Sequence, residues 1–154
     1  MEFWHFGVPS VSGVERMAQR CEELNFDGLT LTDSQNLSNE TYIALTLAAK
    51  ATNVLKIGPG VTNPITRHAA LTASAAATLQ EVSNGRVMIG IGRGDSFLFN
   101  IGFKPPNPDI FQTYITELQS YLRGDVLNKS GYDSQLKWLV GSKLPKVPLD
   151  VAAT

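Results

Sequence analysis

"IGPGVTNPITRH", residues 57–68, ends an apolar run in two glycines and two prolines and hands over to an alanine-rich segment. Glycine and proline gather where a backbone comes close to something or takes an unusual shape, so this corner is the place from which to read the chain. Before it, residues 54–58 read as a strand. After it, residues 68–82 read as a helix of Ala, Thr, Ser and Leu, small enough to lie close against a sheet, with Gly85 as its stop. "VMIGIG", residues 87–92, is a further strand, apolar throughout as expected when both faces are covered.

The same alternation extends in both directions. Residues 3–8 form an aromatic-rich strand closed by Pro9 and Ser10. Val14, Met17, Ala18, Cys21 and Leu24 then make one helical stripe. "LTLT", residues 29–32, is a strand ending at Asp33 and Ser34, and the next helix starts at Ser38 as N-cap and runs to about Asn53. Toward the C-terminus, Asn107 and Pro108 cap and open a helix carrying Phe111, Tyr114, Ile115, Leu118 and Leu122 as far as Gly124. "NKSGYDSQ", residues 128–135, is a loop or small hairpin, residues 136–140 are a short amphipathic piece, and "LDVAA", residues 149–153, is a fifth strand.

Strand and helix therefore alternate four times with a fifth strand begun, the signature of an α/β fold with a parallel sheet. Two architectures satisfy it. An open doubly wound sheet is complete in five strands, whereas a (β/α)8 TIM-type barrel takes about 200 to 250 residues or more and is cut here to roughly half. Either way 154 residues make a single domain, residues 1–154, able to bury about 70% of the surface of its unfolded chain.

Composition narrows the function. Lys and Arg total 13 against 14 Asp and Glu, and a net charge of -1 gives no broad attraction for nucleic acid or an anionic membrane. The one cysteine, Cys21, excludes an internal disulfide and a Cys-based zinc site and fits a reducing compartment. No apolar run reaches the roughly 20 residues of a membrane span, and Pro9 comes too early for a secretory signal, so a cytoplasmic protein is expected.

In parallel sheets ligands bind at the carboxyl ends of the strands. Here those corners hold Val8 to Ser10, Thr32-Asp33-Ser34, Gly58-Pro59-Gly60-Val61-Thr62-Asn63 and Gly92-Arg93-Gly94-Asp95-Ser96. Asp33 directly after an apolar strand either faces the ligand mouth or serves as a turn residue accepting backbone N–H groups. Arg93 either meets an anionic ligand or pairs with Asp95. "GIGRGDS" is ordered G-x-G-x-G and lacks the spacing of a dinucleotide fingerprint. Nothing has metal-ligand spacing or the order of a catalytic triad.

The string "GPGVTNPITRHAALTASAAATLQEVSNGRVMIGIGRGDS", with "DGLTLTDS" and "VPLDVAAT", resembles the bacterial luciferase-like monooxygenase superfamily, in particular its coenzyme F420 (deazaflavin)-dependent oxidoreductases. The resemblance implies a TIM barrel, here the first four βα units and a fifth strand, that transfers hydride between F420, or alternatively FMN, and a small organic substrate. It also implies a non-prolyl cis peptide at Gly60-Val61 behind the cofactor ring. Asp33 is then the catalytic residue at the ring's polar edge, with Ser34, Thr62 and Asn63 beside it and Gly92, Arg93 and Gly94 bordering the pocket. Asp33→Asn is accordingly expected to weaken cofactor binding with little change in melting temperature. Complete members continue through three more strands. A half barrel leaves its first and fifth strands as edges and an apolar inner face open, so a homo-oligomer joined through strand edges is expected unless the chain is a fragment of a longer protein. The alternative function is a catalytically inactive half-barrel module that associates with itself or with a complementary half.

Overall fold

The structure, a computed structural model, describes residues 1–94 and 96–152. Asp95 therefore lies outside the described residues, as do Ala153 and Thr154; the expected pairing of Arg93 with Asp95 and the end of the fifth strand fall there.

Strand β1 (Trp4–Gly7) leads through α1 (Val14–Glu23) to β2 (Gly28–Leu31), α2 (Thr41–Ala51), β3 (Lys56–Pro59), α3 (Ala69–Val82) and β4 (Ile89–Ile91). A short α4 (Ser96–Phe99), not foreseen from the sequence, precedes α5 (Pro108–Arg123). The polar excursion is a hairpin of β5 (Leu127–Lys129) and β6 (Tyr132–Ser134), turned by Ser130 and Gly131 at φ 52° and 86°. A 3-10 turn (Lys137–Leu139) and β7 (Leu149–Val151) complete the chain.

β1, β2 and β3 pair in parallel, β4 pairs in parallel with β7, and parallel bridges Ile57 to Val87 and Thr62 to Ile91 join the two sets. The order is thus β1-β2-β3-β4-β7. The described strands do not close into a barrel.

Leu29, Leu31, Ile57, Ile89 and Ile91 are fully buried and share one core with the apolar sides of α1, α2, α3 and α5. Small residues let α3 in: Ala69, Ala73, Ala76 and Ala77 are buried, and Thr72 Oγ1 meets Tyr114 Oη of α5 at 2.7 Å. At the foot of the strands Arg86 donates to Ala49 O at 2.8 Å, Thr52 O at 3.0 Å and Ser83 O at 2.7 Å, tying together the ends of α2 and α3. Glu22 does the same for α1, its Oε1 accepting the N–H groups of Asn53, Val54 and Leu55.

Several boundaries differ from the sequence reading. The N-cap of α2 is Glu40, whose carboxylate accepts the Ile43 N–H at 2.8 Å, whereas Ser38 bonds backward to Ser34 O. β3 begins at Lys56 because residues 53–55 give their N–H groups to Glu22, leaving Val54 exposed. Leu24, expected on the α1 stripe, is the C-cap and is exposed.

The sheet face away from the helices also differs from expectation. Phe6, Thr30 and Gly58 stand side by side there, as do Trp4, Gly28 and Lys56, and Gly90 with Asp150. On this face Phe6 is 61% exposed and Trp4 half-buried, and the remaining positions in these rows are glycines and the polar residues Thr30, Lys56 and Asp150.

Candidate functional site

All five parallel strands send their carboxyl ends to one cavity of about 320 Å³. Phe6 of β1 and Ala152 after β7 mark its two sides. Between them the loop after β2 contributes Asp33, Ser34 and Gln35, the loop after β3 Gly60, Val61 and Asn63, and the loop after β4 Gly92, Arg93 and Gly94. Phe97 and Leu98 of α4 line the cavity as well. A second cavity, about 210 Å³, lies between the C-terminal ends of α3 and α5 and the segment 139–147, remote from the strand tips.

The wall beneath β3 and β4 is main chain. The Gly60-Val61 peptide is cis, as the resemblance implied. Backbone pairing resumes beyond it, with Thr62 N–H donating to Gly90 O at 2.9 Å and Gly92 N–H to Thr62 O at 3.0 Å. A Cβ at Gly60 would stand 2.6 Å from Thr30 Cβ, which leaves no room for a side chain, and one at Gly92 would stand 3.1 Å from Val61 Cγ2, a tight contact from which Val61 would have to give way by a few tenths of an ångström. Val61, 41% exposed, is the apolar side chain on this wall.

The polar rim is built on Asp33, whose side chain is only 2% exposed. Thr62 Oγ1 donates to its Oδ2 at 2.7 Å and Gln35 Nε2 to its Oδ1 at 2.7 Å. Arg67 Nε stands 3.7 Å from Oδ2. The Arg67 guanidinium lies 4.7 Å over the Tyr42 ring and pairs with Glu40. Burial pulls against the charge on Arg67, but Asp33 and then Glu40 more than offset it and hold its pKa above the ordinary guanidinium value. Burial, and after it the charge of Asp33, push the Tyr42 phenol well above its usual range. Asn63 spends its Oδ1 on the following turn, accepting Ile65 N–H and Thr66 N–H at 3.0 Å each.

Of the residues expected at the site, Asp33, Ser34, Gly60, Val61, Asn63, Gly92, Arg93 and Gly94 all line the cavity. Thr62 does not: it is fully buried behind Asp33 and reaches the site only through that carboxylate. The sequence reading passed over Gln35 and Arg67. Gln35 was within reach, two residues after Asp33 in the same loop. Arg67 sits in the opening string but gave no sign that it would turn back to a strand end 34 positions earlier.

The family model for luciferase-like monooxygenases matches residues 5–153. The chain belongs to that family. A 5,10-methylenetetrahydromethanopterin reductase of Methanolobus tindarius is 36% identical over 129 residues, which are 80% of this chain and 39% of the relative. Among solved structures, the coenzyme F420-dependent tetrahydromethanopterin reductase of Methanopyrus kandleri superposes with a TM-score of 0.80 at 25% identity, covering 99% of this chain and 50% of that one. An F420-dependent secondary alcohol dehydrogenase in complex with an F420-acetone adduct has the same fold, with a TM-score of 0.79 at 20% identity, over 97% of this chain and 51% of that one. This luciferase-like chain thus spans about half the length of the structures it matches.

Proposed function

We propose that this chain forms the cofactor-facing part of an oxidoreductase that passes hydride between coenzyme F420 and a small organic substrate. The observation that carries the reading is the cavity at the five strand tips, with a main-chain wall at Gly60 and Gly92 and a polar rim at Asp33. A planar ring with one polar edge fits such a place: Gly60 and Gly92 present main chain, Val61 offers apolar contact, and Asp33 and its partners supply hydrogen-bonding groups. When bound, the deazaflavin supplies the hydride-carrying carbon. The chain's own residues bind and orient. A carboxylate has about four acceptor positions, and Thr62 and Gln35 occupy two of those on Asp33, which leaves capacity to accept a ring N–H. Ser34 and Asn63 flank that edge, and Arg93 and Gly94 border the side from which a substrate enters. Holding two reactants face to face is the largest contribution such a site can make.

FMN, which shares the flat ring, is the alternative occupant. Titrating the protein with F420 and with FMN and following fluorescence separates the two. Saturable binding of F420 in the micromolar range is expected, and absence of binding by either ring at millimolar concentration would overturn the reading. The second reading, a non-catalytic assembly module, draws on the unpaired outer edges of β1 and β7 among the described residues. It predicts association of the chain without binding of either ring.

A further inference from the structure

We infer that Arg67, which lies outside the cavity, is a positioning residue for the site: its guanidinium fixes the Asp33 carboxylate on the rim. The inference rests on reading the cavity as a cofactor site. A carboxylate closed off from water needs a counter-charge as well as hydrogen bonds. Thr62 and Gln35 give Asp33 two hydrogen bonds and no charge. Among the described residues, Arg67 is the cation within ion-pair reach. At 3.7 Å its Nε lies beyond a hydrogen bond, so Thr62 sets the direction of Oδ2 and Arg67 supplies the field.

Arg67 is itself a fixed point. Tyr42 carries the flat of the guanidinium, and Glu40 holds its Nη2. Glu40 is in turn tied to the start of α2 through the Ile43 N–H, and Asn63 holds the backbone of the preceding residue, Thr66. Three elements therefore converge on Arg67: the loop after β3, the beginning of α2, and the end of β2 that bears Asp33. The planar fork of arginine suits this arrangement, whereas lysine would keep the charge and lose the stacking on Tyr42.

A double-mutant cycle of Arg67→Met and Asp33→Asn tests this, read twice. In thermal unfolding without cofactor, each single variant is expected to melt lower than the parent, and the double variant no lower than the worse single. Additive losses would overturn the inference. In F420 titrations, Arg67→Met is expected to weaken binding about tenfold in the parent and to change nothing once Asp33 is Asn, with Arg67→Lys restoring part of the affinity. An equal loss in both backgrounds would also overturn it. Should Arg67→Met not fold, the cycle run with Arg67→Gln, which also removes the charge, gives the same decision. If the parent binds neither F420 nor FMN, the proposed function falls, and the cofactor-free cycle alone decides whether Arg67 holds Asp33.

Discussion

At Gly58 an added Cβ would lie 1.6 Å from the carbonyl oxygen of Met88, a main-chain atom that cannot swing aside. Gly58→Ala is therefore expected to cost at least about 3 kcal/mol in urea-induced unfolding, the upper end for a forced fit in a packed core. A loss below 1 kcal/mol, on the order of a volume-conserving swap, would show that β3 and β4 are not so closely set. The sequence marked this corner as unusual through its glycines and prolines, but could not say what they approach, because Met88 lies 30 positions away. Asp33 illustrates the same divide. Its place on a strand tip was legible from the apolar run before it. Its burial was not, since Thr62 and Arg67 come to it only when β2 and β3 are side by side. The expectation that Asp33→Asn leaves the melting temperature unchanged gives way accordingly: the substitution leaves Arg67 without one of its two carboxylates.

Between elements, half-buried polar side chains hold the corners that the hydrophobic pattern leaves open. Glu22 accepts three consecutive N–H groups where α2 passes into β3, and Arg86 gathers the terminal carbonyls of α2 from the other side. Burial alone would raise the Glu22 carboxyl. The Val54, Leu55 and Asn53 N–H groups, together with Arg86, outweigh it and keep the pKa below its ordinary 4.5. A carboxyl depressed in the folded chain adds stability above its unfolded value, and that contribution is lost as pH falls through the folded one. The gap in melting temperature between the parent and Glu22→Gln is therefore expected to be widest near neutral pH and to close below pH 4.5. A gap independent of pH would assign Glu22 a packing role only. Such partners explain why element types were legible and boundaries less so. Periodicity located all the main helices, but Glu40 displaced Ser38 as the cap of α2, and Glu22 delayed the start of β3, through contacts that no local pattern records.

For the molecule as a whole, a parallel sheet was legible from the four crossovers, whereas the sequential order β1-β2-β3-β4-β7 was implied only by the family resemblance, since an open doubly wound sheet satisfies the same alternation. What covers the outer edges of β1 and β7 was not, since an edge is defined by what lies beside it. We expect the chain alone to associate through those edges, with light scattering reporting a dimer or larger; a stable monomer would count against pairing of this kind. The main-chain wall at Gly60 and Gly92 has a consequence for inheritance as well as for binding. Peptide atoms are common to every residue, so codon changes there can ruin the surface by adding bulk but cannot tune it. If the cavity is the cofactor site proposed above, changes in substrate preference are expected at side chains that border it, such as Phe6, Arg93 and Phe97, and not at Gly60 or Gly92.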